Sequence, residues 1–382
     1  MSRALELLAT TSKGTEALLR DELEGLGVKR VKLDRGGVRF RTTLDEALYV
    51  CVHSRIAMRV LLPLVDKVQA PGADGLYEAA RNVPWEEHLD ERTTFAVEAT
   101  LRDSEHNHSG FVALKIKDAI VDRMREATGR RPDVDTRAPM MRVVAHLAKQ
   151  TLSLSLDLAG EPLHRRGYRR ESVVAPMKET LAAAVLRAAG YDGTVPFADP
   201  MCGSGTLAVE AALIATNRAP GLHRDFAVTE WPALGQRART ILTEVKAQAR
   251  GAMRKAPSTL LARDRDEAAV EATRKNVRAA GLEGVVRVEL ADALSAEPPE
   301  GPPGLLVSNP PYGDRLSAGG QKGMKTFYYQ LSQSLERWHG WRTWMLCANE
   351  AFESAFHRRP HTRLPLWNGP LECQLRGYPA SP

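Results

Sequence analysis

The sequence predicts an α/β protein in which a domain with a doubly wound parallel sheet follows two smaller α+β modules. Three observations carry this. At 382 residues the chain exceeds one ordinary hydrophobic core. Its first 65 residues alternate strand and helix patterns in the order β-α-β-β-α-β. From Val195 onward, short apolar runs end repeatedly in glycine or an acid and pass into helical periodicity, which is the βα repeat of a parallel sheet.

Composition narrows the class. With 43% hydrophobic and 26% charged residues the chain is globular, neither disordered nor fibrous. Its 53 Lys+Arg against 47 Asp+Glu leave a net charge of +6, a balance that favours a polyanionic partner. The four cysteines, Cys51, Cys202, Cys347 and Cys373, are far apart and lack zinc-ligand spacing, and the ten histidines show none either. No metal, no disulfide framework and a reducing compartment are expected. Glu6 and Lys13 interrupt any signal-peptide core and no apolar run reaches membrane-span length, so the expected location is cytoplasmic, away from membranes.

Leu5 to Thr10 reads as a strand, and a helix with apolar Ala17, Leu18, Leu23 and Leu26 stops near Gly27. Val28 to Leu33 and Val38 to Arg41 flank the hairpin turn Asp34-Arg35-Gly36-Gly37, Leu44 to Val52 forms a helix, and Ile56 to Val65 closes the unit. This is a ferredoxin-like order. Gln69 to Gly75, with two Gly-containing turns, predicts a connector to a second unit. That unit has a helix from Leu76 to Asn82, a strand from Thr94 to Leu101, a long helix from Gly110 to Thr128, and strands Met141 to Ala148 and Thr151 to Leu158.

The second unit ends in Leu163-His164-Arg165-Arg166-Gly167-Tyr168-Arg169-Arg170. Arg165, Arg166, Arg169 and Arg170 around the Tyr168 ring are what a phosphate-gripping edge with one stacking surface needs; the alternative is an Arg-rich domain junction. This fragment, the preceding α/β arrangement and the ferredoxin-like leader resemble the THUMP module of RNA-modifying enzymes. The resemblance implies a structured RNA as partner, recognised by shape and by an end or loop.

The third region enters through Ser172 to Thr180 and a helix from Leu181 to Ala189, closed by Gly190. Val195 to Asp199 then reads as a strand running into Pro200-Met201-Cys202-Gly203-Ser204-Gly205-Thr206, a glycine loop that opens a helix from Leu207 to Ala215. Gly203 and Gly205 let a ligand approach bare backbone, and the helix end offers unpaired N–H donors. Without a P-loop lysine or a third glycine the ligand is not a nucleotide phosphate; Asp199 suits a cationic or amino-bearing one. A second strand, Thr259 to Asp266, ends in Asp264-Arg265-Asp266 before a helix from Ala268 to Ala280. Asp264 is placed to accept from ribose hydroxyls, whereas Asp266 fits a helix N-cap. A third, Val285 to Leu290, ends in Ala291-Asp292-Ala293, where Asp292 is placed to accept from an adenine amine.

A fourth strand, Leu305 to Val307, stops abruptly in Ser308-Asn309-Pro310-Pro311-Tyr312. Two prolines remove two backbone donors and force Asn309 into an extended conformation, so the corner is rigid. It holds the Asn309 side chain, the Ser308 and Pro310 carbonyls and the Tyr312 ring at the carboxyl edge of the sheet. Paired acceptors there could take both hydrogens of an exocyclic amine, turn its lone pair out of the base plane and aim it at an electrophile while the ring stacks on the base. Phe327, Tyr328, Tyr329, Trp338, Trp341 and Trp344 have the spacing of helix and strand core rather than of a stacking platform.

The ordered set of glycine loop, three acids and Asn-Pro-Pro-Tyr resembles the class I methyltransferases that act on exocyclic amines, and Ser308 to Tyr312 matches their motif without substitution. The resemblance implies a Rossmann-like catalytic domain over residues 169–382, behind ferredoxin-like (1–66) and THUMP (67–168) modules. It implies S-adenosyl-L-methionine as cofactor, held by Asp199, Pro200, Cys202, Gly203, Gly205, Thr206, Asp264, Arg265, Asp292, Ala293 and Asn309, with Asn309, Pro310 and Tyr312 acting on the acceptor. Asn217 to Phe226, Trp231 and Trp367 to Cys373 narrow it to the amino-terminal half of the bacterial enzymes that make N2-methylguanosine in 23S ribosomal RNA. In enterobacteria that half is fused to a second methyltransferase. Alternatives are a transfer RNA guanine-N2 methyltransferase, a DNA adenine-N6 methyltransferase and a non-catalytic RNA-binding assembly factor.

Overall fold

The computed structural model describes residues 4–171, 177–311 and 320–380. The first eleven elements are β1 (Leu5–Thr10), α1 (Glu16–Gly25), β2 (Lys32–Asp34), β3 (Gly37–Thr42), α2 (Leu44–His53), β4 (Arg59–Gln69), α3 (Gly72–Arg81), β5 (Phe95–Arg102), α4 (Ser109–Thr128), β6 (Met141–Ala148) and β7 (Thr151–Asp157). Thr43 caps α2 through a reciprocal pair with Glu46, which satisfies two donors of its first turn. No helix among the described residues is long and apolar enough to cross a membrane.

The two amino-terminal modules share one sheet, in the order β2-β3-β1-β4-β7-β6-β5. Strand β4 is the reason: it pairs with β1 from Arg59 to Leu61 and with β7 from Leu61 to Gln69. The expected end of that strand at Val65 and the expected connector from Gln69 both give way to this pairing. Pro71 is the N-cap of α3, so the Gly-containing stretch starts a helix instead of forming a free linker.

The second half contains α5 (Glu179–Ala188), β8 (Phe197–Asp199), α6 (Thr206–Ala215), α7 (Gly235–Gly251), β9 (Leu260–Asp264), α8 (Glu267–Ala279), β10 (Val286–Leu290), β11 (Leu305–Ser308), α9 (Gly320–Ser334), β12 (Arg342–Cys347), α10 (Ala351–Phe356), β13 (Thr362–Asn368) and β14 (Leu371–Tyr378). Its sheet runs β10-β9-β8-β11-β12-β14-β13. From β10 to β12 the strands are parallel, and the β13–β14 hairpin closes the edge antiparallel. The order reverses between β8 and β11, which is where an open α/β sheet leaves a crevice at its carboxyl edge. Tyr328, Trp338, Trp341 and Trp344 are core residues, as their spacing predicts, whereas Tyr329 is 46% exposed.

Packing does not follow the linear order of the modules. After α6 the chain returns to the amino-terminal half, where Leu222, Phe226, Val228, Trp231, Ile241 and Leu242 join the core of the first sheet. Backbone bonds stitch the return, from Gly221 N–H to Val52 O (2.9 Å) and from Val228 N–H to Leu158 O (3.1 Å). Gly221 has to be glycine here, because a Cβ would lie 2.8 Å from Cys51 O. Gly221→Ala should therefore destabilise the chain by about 1–3 kcal/mol through overpacking. A calorimetric melting temperature unchanged from the parent would show that residues 219–249 are not part of that core.

Candidate active site

Four carboxyl ends converge at the crevice, those of β8, β11, β9 and β10. The side chain of Asp199, 2% exposed at the end of β8, accepts from Ser308 Oγ at the end of β11 (2.6 Å) and from Met201 N–H (3.2 Å). Strands β8 and β11 are adjacent and parallel, so this bond ties the glycine loop to the proline corner across the switch point. Burial pushes the Asp199 carboxyl up to about 7; the Ser308 and Met201 donors oppose the shift and nearby Asp264 adds to it. Pro200, next in the chain, is buried.

The glycine loop is held on its other side by β9. Cys202 N–H donates to Arg263 O (2.8 Å) and Gly203 N–H to Asp264 Oδ2 (2.9 Å). The other Asp264 oxygen accepts from Asp266 N–H (3.0 Å), and Asp266 caps α8 by accepting from Ala268 N–H. Each Asp264 oxygen keeps acceptor capacity beyond one backbone donor. Gly205 is the N-cap of α6, with φ +80°, and a Cβ would fall 2.6 Å from Thr273 Cγ2. The Cys202 thiol is buried against Thr273 Oγ1 (3.5 Å) and pushed well above its ordinary range by burial, so it is no nucleophile. Thr206 is buried in the first turn of α6, while Arg265 is exposed beyond the end of β9.

At the end of β10, Asp292 Oδ1 accepts from Leu294 N–H (2.9 Å), which folds the loop back and leaves Ala293 buried. At the end of β11, Asn309 is half-buried and Pro310 buried. The Asn309 Oδ1 atom is shielded from solvent and has no hydrogen-bond partner among the described residues, a costly state for an amide oxygen unless a ligand completes it. The Tyr328 hydroxyl on α9 donates to Pro311 O (2.8 Å), bracing the corner from beneath. Tyr312 and Ser172 to Pro176 lie outside the described residues.

The arginine-rich fragment requires correction. Tyr168 is 4% exposed and donates to Glu210 Oε1 (3.1 Å), so its ring is not offered to a base. Arg166 is buried, bonded to Leu163 O (2.8 Å) and to Arg55 O, and Arg169 reaches Glu179 Oε1 (2.9 Å). These three form the domain junction, because buried Glu210 on α6 takes donors from Tyr168 and Arg166 and buried Glu179 on α5 from Arg169. Arg165 and Arg170 alone of the set are exposed.

Sequence reasoning missed Thr273 and Asn276. Both are polar residues on the buried face of α8 set by Ala269, Val270 and Val277, and polar residues at core positions of an amphipathic helix were the available signal.

Comparison with known proteins now bears on this geometry. Residues 6–61 match the RlmL ferredoxin-like domain and residues 72–157 the THUMP domain. Residues 166–377, more than half of the chain, match UPF0020, the RMKL-like methyltransferase domain. The chain belongs to the RMKL-like methyltransferase family. Among curated relatives of this RMKL-like methyltransferase, the Ribosomal RNA large subunit methyltransferase K/L of Syntrophotalea carbinolica is 42% identical over 99% of this chain and 54% of its own length. The protein of the same name from Methylococcus capsulatus is 40% identical over 100% of this chain and 52% of its own. The chain thus spans about half the length of the curated relatives it matches. A solved methyltransferase-like chain complexed with SAH is 30% identical, with a TM-score of 0.88 over 100% of this chain and 99% of that one.

Proposed function

We propose that this chain transfers a methyl group from S-adenosyl-L-methionine to the exocyclic N2 amine of a guanosine in 23S ribosomal RNA. The observation that carries the reading is the shielded Asn309 Oδ1, without a partner among the described residues, beside the Asp199–Ser308 bond at a switch-point crevice. A THUMP match ahead of the catalytic domain and relatives named for ribosomal RNA favour an RNA substrate.

When bound, S-adenosyl-L-methionine supplies an electrophilic sulfonium methyl. The residues fit it: Asp199 would hold its cationic amino acid part, the backbone from Cys202 to Thr206 would border it, Asp264 and Arg265 would hold the ribose and Asp292 with Ala293 the adenine. On the acceptor side the base leaves its stack and Tyr312 stacks upon it. Asn309 Oδ1 accepts one hydrogen of the amine and the Pro310 carbonyl the other, which turns the lone pair out of the ring plane. After transfer the amine loses its surplus proton to water or a carbonyl, so no strong base is required. In this reading residues 1–66 and 67–168 deliver the RNA, with exposed Arg165 and Arg170 contacting phosphates.

Asp199 predicts a pH dependence. Only the ionised carboxylate attracts a cation, and burial holds its midpoint near 7. Calorimetric affinity for S-adenosylhomocysteine should therefore fall about tenfold per unit below pH 7 and level off above it. Asp199→Asn should bind more weakly and lose this slope; a variant that keeps the slope assigns the titration elsewhere.

The deciding experiment incubates the chain with labelled cofactor and either 23S ribosomal RNA or bulk transfer RNA, followed by nucleoside mass spectrometry. N2-methylguanosine from ribosomal RNA supports the proposal. The same nucleoside from transfer RNA alone moves the substrate, and N6-methyladenosine overturns the acceptor.

A further inference from the structure

The junction segment Arg169 to Glu171 is bonded to the glycine loop as well as to its own neighbours. Asn276 on α8, 1% exposed, sits between them with both ends of its amide saturated. Its Oδ1 accepts from Arg170 N–H (2.8 Å) and Glu171 N–H (3.2 Å). Its Nδ2 donates to Glu171 O (2.9 Å) and to Ser204 O (2.9 Å). One turn earlier, Thr273 Oγ1 donates to Gly203 O (2.8 Å). From the junction side the Arg169 guanidinium spans Glu179 Oε1 (2.9 Å), Met177 O (2.9 Å) and Thr206 Oγ1 (3.1 Å), with Ser204 Oγ at 3.5 Å.

These bonds matter because of what the loop is made of. Gly203 and Gly205 both hold positive φ, 55° and 80°, and glycines have the most freedom to lose on ordering. A loop that a ligand must order itself binds that ligand more weakly than one already fixed. Two successive carbonyls, at 203 and 204, are fixed from α8, and two hydroxyls, at 204 and 206, are within reach of the junction arginine.

We propose that Asn276 and Arg169 are positioning residues of the cofactor loop, so that the junction residues Arg169 to Glu171 are part of the cofactor site. This rests on the reading that the loop borders S-adenosyl-L-methionine. It reassigns Arg169 from gripping RNA to fixing the loop, and it gives the buried amide of Asn276 a function beyond the core. Neither side chain has to touch the ligand, since both act through Ser204 and Thr206.

The test uses the full chain, S-adenosylhomocysteine in calorimetry and methyl transfer to ribosomal RNA at varied cofactor concentration. Wild type is measured first: absence of binding sinks the functional reading itself. Given wild-type binding, Asn276→Ala should raise Kd and the cofactor KM about tenfold while kcat at saturating cofactor stays within about twofold. Arg169→Lys, which keeps the charge beside Glu179 but loses the fork, should raise both about threefold and provides the test even where Asn276→Ala does not fold. A folded Arg169→Lys or Asn276→Ala protein with a lowered melting temperature but an unchanged Kd overturns the positioning role and leaves the functional reading standing.

Discussion

Asn309→Ala is expected to lower the rate of methyl transfer by about a thousandfold or more while the Kd for S-adenosylhomocysteine changes by less than about threefold. The asymmetry follows from where the amide stands. Its Oδ1 has no partner among the described residues, so alanine removes no bond from that oxygen and strands no described donor. The corner itself does not depend on the side chain, because Pro310 and Pro311 fix the backbone and Tyr328 holds Pro311 O. What disappears is the acceptor that orients the incoming amine. Single-turnover transfer measured beside calorimetry separates the two effects, and equal losses in both would place Asn309 on the cofactor instead.

Asp264→Ala should give the opposite pattern, an increase of about a hundredfold in the cofactor Kd with kcat at saturation within a few-fold of wild type. Two losses combine. The carboxylate is the acceptor for Gly203 N–H and Asp266 N–H, so its removal takes away one of the two bonds from the glycine loop to β9, leaving Cys202 N–H on Arg263 O. In the proposed reading it also removes the ribose acceptor, a charge-assisted interaction at a half-buried site. A double variant of Asp264 and Asn309 should show the two effects independently, since they fall on different steps. A Kd unchanged in Asp264→Ala would falsify this assignment.

Several features were legible because they are local. The rigidity of Asn309-Pro310-Pro311 is a property of the proline ring, whatever surrounds it. The N-cap of α8 at Asp266 was legible for the same reason, since a short acid before an amphipathic run satisfies its own first turn. The strands that end in Asp199, Asp264 and beside Asp292 carry an apolar period that any buried parallel sheet imposes.

The Arg165 to Arg170 fragment left phosphate contact and domain junction open because charge in a sequence does not say whether a guanidinium faces water or a partner. Glu210, 44 residues beyond Arg166, settles it, and only the packing of α6 against the junction brings the two together. The return of residues 219–249 to the first core, the continuous strand β4 and the saturated amide of Asn276 were invisible for the same reason. Each depends on bonds between residues far apart in the chain, whose formation is set by long-range closure and not by local preference.

The sequence by itself determined the α/β class, the order of the modules, the glycine loop and the proline corner, because each is enforced by backbone stereochemistry or by the period of apolar residues. The tertiary structure alone decided that the two leading modules share a sheet, that Asp199 accepts from Ser308 across the switch point, and that Arg166 and Arg169 bond inward at the junction. Those outcomes depend on which donors and acceptors are left without water when distant surfaces close, and a buried polar atom must take whatever partner that closure provides.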